Sequence, residues 1–423
     1  MTIAEKILAR ASGKRKVLPG DYVVAKPDRI MVLGERIGEL TATDINSRWP
    51  KDIKLESVSD PDRIVVISEH VIPPDNVHLA QLYHAARAGV KKLGIKNFFD
   101  IGRGGICHQV FSEKGFARPG ELVVGSDSHT CTYGAFNTAA RGINYELPYV
   151  LKTGATWFRV PETIKIVVNG ELGKGVCSKD IILKIMALYG TEIALYKSVE
   201  FAGDTISALD VSSRMTMANM GVEMGAKFAL FECDKKLEKF LSGLGIGGYE
   251  SVVSDHDAEY DKVIELNVSD LEPQVACPHD LANTKDVSKV ADTKIDQAFL
   301  GTCTNGRYDD LKIAADIIRG KKIHPDVRLV VTPASQEVYK QALEGGIIKV
   351  FMDADAVVTN ATCGACAGLH LGVIGPGEVC IGTQNRNFKG RMGSDQAEVY
   401  LGSPATVAAS ALNGVITDPR EYL

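Results

Sequence analysis

Short β-branched runs recur along the chain, and each ends in a polar loop rather than a hairpin turn. RIVVIS (63–68) is followed by LAQLYHAARAGVKKLG (79–94), whose spacing predicts a helix. ELVVGSDSHT (121–130) reads as a buried strand running into a polar loop. DVRLVVTPAS (326–335) reads as a strand and loop, with a helix expected over QEVYKQALEGGII (336–348). DAVVTNATCGAC (355–366) predicts a further strand that ends in a loop of reactive side chains. This alternation predicts an α/β protein with a mostly parallel sheet. Such folds bind ligands beyond the C-terminal ends of their strands, which is where these polar motifs fall.

A chain of 423 residues exceeds what one hydrophobic core usually holds, so several domains are expected. A new strand pattern with glycine punctuation begins in WFRVPETIKIVVNGELGKG (157–175), and residues 267–294 are polar and contain proline. Cuts near 162 and 287 give domains 1–162, 163–287 and 288–423. A net charge of −5 gives no reason to expect nucleic acid or an anionic membrane as a partner. No apolar run is long enough to span a bilayer. The N-terminal MTIAEKILARASGKRK is an amphipathic helix pattern without the apolar core of a signal peptide, so a cytoplasmic protein is expected. Nine cysteines in a reducing compartment do not suggest a disulfide framework. Cys177, Cys233 and Cys380 are expected to be small buried hydrophobes.

Cys363 and Cys366 form a C-x-x-C, which by itself could be half a zinc site or a redox pair. No second C-x-x-C or H-x-x-x-H accompanies it. Cys303, in GTCTNGR, is a third sulfur in a distinctive loop. Thiolates are the ligands of iron–sulfur chemistry. Four would close a cluster, whereas three leave one iron open to substrate, as an open position does in catalytic zinc sites.

Three further groups stand near strand ends. NRNFKGRMGS (385–394) carries Asn385, Arg386 and Arg391, and two arginines on one short loop suit bidentate capture of carboxylate or phosphate. A solvated basic loop is the alternative. GGICHQV (104–110), GSDSHT (125–130) and the EH at 69–70 supply His70, His108 and His129 with Glu69 and Asp127. A carboxylate beside an imidazole fixes its tautomer and raises its basicity, which suits acid–base work near neutral pH. In MANMGVEMGAKFALFECD (217–234), Asn219 and Glu223 are four apart and share a helical face. They could hydrogen-bond a hydroxyl, or they could be the polar end of a Met-rich core helix.

Together these motifs resemble the aconitase superfamily, and within it the large subunits of 3-isopropylmalate dehydratase and homoaconitase. The resemblance runs from TIAEKILARASGK through RGGICHQV, DSHTCTYGA, WFRVPETI, GTCTNGR, CGAC and NRNFKGRMGS to YLGSPATVAASA. It implies a three-domain α/β/α architecture around a central 4Fe–4S cluster held by Cys303, Cys363 and Cys366. It implies a hydro-lyase acting on a small hydroxy-carboxylic acid. In that reading Arg386 and Arg391 orient substrate carboxylate and Asn385 neighbours the cluster. Glu69, His70, His108, Asp127, His129 and Glu223 form the acid–base and water-binding group, with Ser128 and Asn219 beside the substrate. Leucine biosynthesis is the implied role, with 3-isopropylmalate the favoured substrate. Homoaconitate, 2-methylmalate and 2,3-dimethylmalate types are the alternatives within the family, and a cluster-free RNA-binding or structural relative is the alternative outside catalysis.

The chain departs from the family in places. Glu69 stands where the family commonly has aspartate. LGERIGEL (33–40) replaces a His-Asp-(Val/Ile)-Thr-(Gly/Ser)-Pro loop, and INYELPYV (143–150) replaces a Gly-Ser-Thr-Asp loop. Thr302, Ala365 and Gln384 are small changes beside intact motifs. The Gly-Ser-Ser-Arg-type loop of the family's swivel domain, source of the base serine, is absent. A separate small subunit carrying that domain is therefore expected.

Overall fold

The computed structural model describes residues 1–42, 48–50 and 53–423. By Cα proximity the chain forms two compact units, each made of two stretches. The first is Met1–Val168 with Ala194–Leu266, and the second is Asn169–Ile193 with Asn267–Leu423. The stretch 163–287, expected as a domain by itself, is shared between them.

The first unit is built on a five-stranded parallel sheet. Its spatial order is Asn97–Phe99, Ile64–Ile67, Arg29–Leu33, Leu122–Gly125 and Ala139–Gly142. The chain therefore adds strands outward from Arg29–Leu33 in one direction and then crosses to the other side. That reversal is a topological switch point, where connections leave to opposite faces and open a crevice. Ile64–Ile67 and Leu122–Gly125 are buried along their whole length, as parallel strands covered on both faces must be. A second sheet holds Phe228–Phe231, Ser198–Ala202, Thr163–Asn169 and Lys262–Asn267, with the first three parallel. Tyr22–Ala25 and Thr156–Arg159 form a small antiparallel pair.

The second unit has a seven-stranded mixed sheet. In spatial order its strands are Thr284–Asp286, Gln274–Ala276, Glu398–Leu401, Val379–Gly382, Gln297–Leu300, Arg328–Val331 and Val357–Val358. The last five run parallel, and the first two pair antiparallel at one edge. Again the order reverses, here between Gln297–Leu300 and Val379–Gly382. The predicted helix over 336–348 is two helices, Gln336–Glu344 and Ile347–Asp353. Gly346 between them has φ 73°, which breaks the helix in the left-handed region.

Helix Gly34–Thr41 packs closely on helix Val77–Lys92. A Cβ on Gly38 would lie 2.2 Å from the carbonyl oxygen of Leu82. Only glycine allows this approach, which delivers Glu35 and Arg36 to the crevice. Gly38→Ala should part the two helices and cost about 1–3 kcal/mol, as overpacking does. Urea unfolding checks this; unchanged stability would mean that the helices separate freely.

Candidate functional site

In the first unit the strand ends deliver the predicted acid–base residues together. Ile64–Ile67 leads to Glu69 and His70, Leu122–Gly125 to Asp127, Ser128 and His129, and the loop after Asn97–Phe99 to His108. Asp127 is the hub. Its Oδ1 lies 2.8 Å from His108 Nε2 and accepts from the His129 backbone N–H at 2.8 Å. His129 Nε2 lies 2.9 Å from Glu223 Oε1, and its Nδ1 is 3.3 Å from Ser128 Oγ. Asn219 closes helix Val211–Asn219, whereas Glu223 sits in the tighter 3-10 turn Met220–Met224 that follows. Asn219 Nδ2 donates to Thr132 Oγ1 at 2.9 Å, so both residues reach the segment Ser128–Phe136.

His70 lies among carboxylates. Its Nδ1 is 3.4 Å from Glu35 and 3.8 Å from Glu69, and its Nε2 is 3.9 Å from Asp127. Burial opposes a charge on the imidazole, but Glu69, Glu35 and Asp127 outweigh it and raise His70 from the usual 6.5 to about 9. Burial also works against Asp127, yet hydrogen bonds from His108 and His129 hold it well below the carboxylate range. Glu69 is pushed up, chiefly by burial, while its Oε2 accepts from the Cys107 N–H at 2.5 Å. The site thus pairs a protonated histidine with an ionised aspartate at neutral pH. Glu35 was not singled out from sequence. It belongs to the divergent 33–40 segment, and only the helix geometry turns it toward His70.

In the second unit Cys303, Cys363 and Cys366 are all buried. Cys303 follows strand Gln297–Leu300, and the C-x-x-C follows the two-residue strand Val357–Val358. Gly301, ahead of Cys303, has φ +116°, and a Cβ there would lie 1.8 Å from Thr332 O. The turn that aims Cys303 therefore requires glycine.

Arg391 reaches the second of the paired cysteines. Its Nη2 donates to Cys366 Sγ at 3.6 Å. Burial would lower Arg391, but the charge on Cys366, Cys363 and Cys303 raises it above the usual arginine value. Asn385 Nδ2 donates to Cys303 Sγ at 3.3 Å. Arg386 follows on the same loop and is partly buried. Three soft donors, all buried and two of them, Cys303 and Cys366, already receiving N–H groups, fit an iron–sulfur cluster, whose sulfur ligands are tuned by such hydrogen bonds. None of the nine cysteines is in a disulfide. Cys380 is buried as expected of a small hydrophobe; Cys177 and Cys233 are partly exposed.

Two supporting residues escaped the sequence reading. Arg307 closes the CTNGR loop, donating to Cys303 O at 3.1 Å and to Thr304 O. Lys179, fully buried, donates to Gln384 O at 2.6 Å and to Thr383 O, immediately before Asn385. Burial lowers Lys179 to about 8. A lysine within the helical pattern Ser178–Tyr189 carries no sequence signal for this role.

A family model described as the Aconitase family (aconitate hydratase) matches residues 56–291 and 279–414. The chain is 47% identical to the "Probable 3-isopropylmalate dehydratase large subunit" of Methanothermobacter thermautotrophicus, over 99% of each chain. It is 47% identical to the "Probable methanogen homoaconitase large subunit" of the same organism, over 100% of this chain and 98% of that one. The "3-isopropylmalate dehydratase large subunit" of Halothermothrix orenii is 46% identical over the full length of both. Among solved structures, holo aconitase X of Thermococcus kodakaraensis aligns with TM-score 0.49 and 12% identity, over 86% of this chain and 84% of that one.

Two outcomes are expected. Lys179→Met leaves the buried Gln384 carbonyl without its lysine donor and Thr383 O with Thr302 Oγ1 alone, at a cost of about 1–3 kcal/mol, and loosens Asn385. Urea unfolding and faster thiol labelling of Cys303 would register this; unchanged labelling would show that the loop holds itself. For His70, the folded value lies above the unfolded one. Its contribution to stability is therefore full below pH 6.5 and lost as pH rises through about 9. His70→Gln should flatten the fall in Tm across that window, and an unaltered slope would assign it to other groups.

Proposed function

Because the chain belongs to the aconitase family, we propose that it is the cluster-bearing large subunit of a hydro-lyase for a 2-hydroxy di- or tricarboxylic acid. The reading rests on one observation above all: three buried cysteines, of which Cys366 is bonded by Arg391 and Cys303 by Asn385, both on the loop that also carries Arg386. Cys303, Cys363 and Cys366 are the residues that would hold a 4Fe–4S cluster. Bound through three protein sulfurs, such a cluster supplies an iron with a free position, a Lewis acid toward hydroxyl and carboxylate oxygens.

The protein's own groups do the rest. Arg386 and Arg391 bind a carboxylate and offset the charge that builds on it as the neighbouring proton leaves. His70, protonated at neutral pH, carries the proton to the departing hydroxyl oxygen. Glu69 and Glu35 hold the imidazole and keep it charged until then. Asp127 fixes His108 and His129, and Glu223 holds the far nitrogen of His129, so the water-binding group is oriented beforehand. Ser128 and Asn219 complete the polar wall.

The base comes from a small subunit carrying the swivel domain. This accords with relatives named as large subunits. The favoured substrate is 3-isopropylmalate, in leucine biosynthesis, with homoaconitate second. Equal identity to relatives of both names leaves that choice to the pocket. Among the described residues no helix is long and apolar enough to cross a membrane, and nine cysteines outside any disulfide suit a reducing cytoplasm.

Anaerobic reconstitution tests the reading. The chain should turn brown, Cys303→Ser should stay colourless, and neither should dehydrate any acid alone. Adding the small subunit should give alkene formation with the wild-type chain only. A wild-type chain that takes up no iron would overturn the cluster, and robust turnover without a partner would overturn the two-subunit reading.

A further inference from the structure

A cavity of about 500 Å³ opens at the switch point of the first unit. Its wall includes His70, Asp127 and Ser128, and it continues past them to Arg36, Arg141 and Lys227. The two segments that depart from the family meet in this wall. Arg36 belongs to the 33–40 segment, and Asn144 and Glu146 to 143–150.

The cations here exceed the carboxylates available to them. Arg36 Nη1 and Arg48 Nε share a single carboxylate, Glu39, each at 3.1 Å. Arg141 Nη2 is 3.1 Å from Glu146, its guanidinium lies 4.7 Å from the centre of the buried Phe158 ring, and its buried Nε has no hydrogen-bond partner among the described residues. Lys227 has no ion pair among the described residues; its Nζ lies 4.2 Å over the ring of Tyr196. Arg36, Arg48, Arg141 and Lys227 thus share Glu39 and Glu146; Glu35, the other carboxylate near Arg36, is paired with His70, and Asp127 is engaged by His108 and His129. Burial, and then the like charge of Arg141, lower Lys227 to about 8. Holding like charges together without a counter-ion is unfavourable, and an incoming anion would relieve it. Aromatic packing under Arg141 and Lys227 keeps both cations in place before a ligand arrives.

We propose that Arg36, Arg141 and Lys227 form a carboxylate subsite that receives the end of the hydroxy-acid remote from His70. Arg36 and Arg141 can each present a two-pronged donor to a carboxylate, and Lys227 adds a point charge. The subsite rests on the hydro-lyase reading only for the identity of its ligand. The geometry by itself calls for an anion held next to the acid–base group. In the enzyme it sets how the acid lies along the crevice and rejects monocarboxylates.

The test has two arms. In the first, tricarballylate and succinate are titrated into the isolated chain by calorimetry, with butyrate as the monocarboxylate control. Both polycarboxylates should bind more tightly than butyrate. Arg36→Met and Lys227→Met should each weaken them about 10- to 100-fold, the loss expected for a hydrogen bond to a charged group. Butyrate should be unaffected, and circular dichroism reports whether each variant is folded. In the second arm, the reconstituted two-subunit enzyme is assayed on 3-isopropylmalate and homocitrate. The variants should raise KM far more than they lower kcat. Equal binding of succinate and butyrate, or folded variants that leave both binding and KM unchanged, would overturn the subsite. Polycarboxylate binding without turnover of any acid would keep the subsite and overturn the hydro-lyase reading.

Discussion

Where parallel strands reverse their spatial order, two neighbours send their chains to opposite faces, and the gap between their ends has to be bridged. Both units meet this with a hydroxyl on the first residue after a strand. Ser126 Oγ accepts from the Leu33 N–H at 2.8 Å in the first unit. Thr383 Oγ1 accepts from the Gly301 N–H at 3.0 Å in the second, and Thr302 Oγ1 returns a bond to Thr383 O at 3.1 Å. These bridges satisfy main-chain groups that no longer have a ladder partner. They also fix the spacing of the loops that follow. Asp127 and His129 stand just beyond one bridge, and Cys303 and Asn385 just beyond the other. The chemistry is thus mounted on rigid strand ends, with backbone bonds already made.

Around these bridges, charge is buried only where it is answered. Asp127 stays ionised because the His108 imidazole and the His129 N–H bond to it beside the His129 ring, and His70 stays protonated because three carboxylates surround it. Lys179 is enclosed without a carboxylate on its ammonium, and two carbonyls take its protons. Removing any one partner would strand another charge in a low-dielectric setting, where it is costly. Such groups are preorganised, which is what a reaction that builds charge needs from its surroundings.

Much of this was legible in the chain. A parallel α/β strand is a short apolar run, and the residues just past it are the ones placed at a site. GSDSHT, CTNGR, CGAC and NRNFKGR all occupy that position, so pattern and placement coincide. The residues that stayed hidden work through folding rather than position. Glu35 reaches His70 only because Gly38 lets two helices touch, and Lys179 reaches the arginine loop from a helix distant in sequence. Neither relation has a local signal, since each is a contact between segments that periodicity treats separately. The division of the chain was hidden for the same reason. A cut expected near 287 assumes contiguous domains, whereas residues 169–193 cluster with a unit whose other stretch begins at 267.

That excursion bears on the order of synthesis. The helix Ser178–Tyr189 leaves the ribosome well before the sheet it serves. Its Asp180 awaits the N–H of Gln274, its Lys184 awaits Asp286, and Lys179 awaits carbonyls beyond residue 380. Its apolar residues Ile181, Ile182, Ile185 and Met186 are buried only once the later strands arrive. The cysteine-bearing unit therefore cannot close around its arginine loop until almost the whole chain has been made. The three sulfurs and the helix that steadies their neighbours are first present together only at the end of translation.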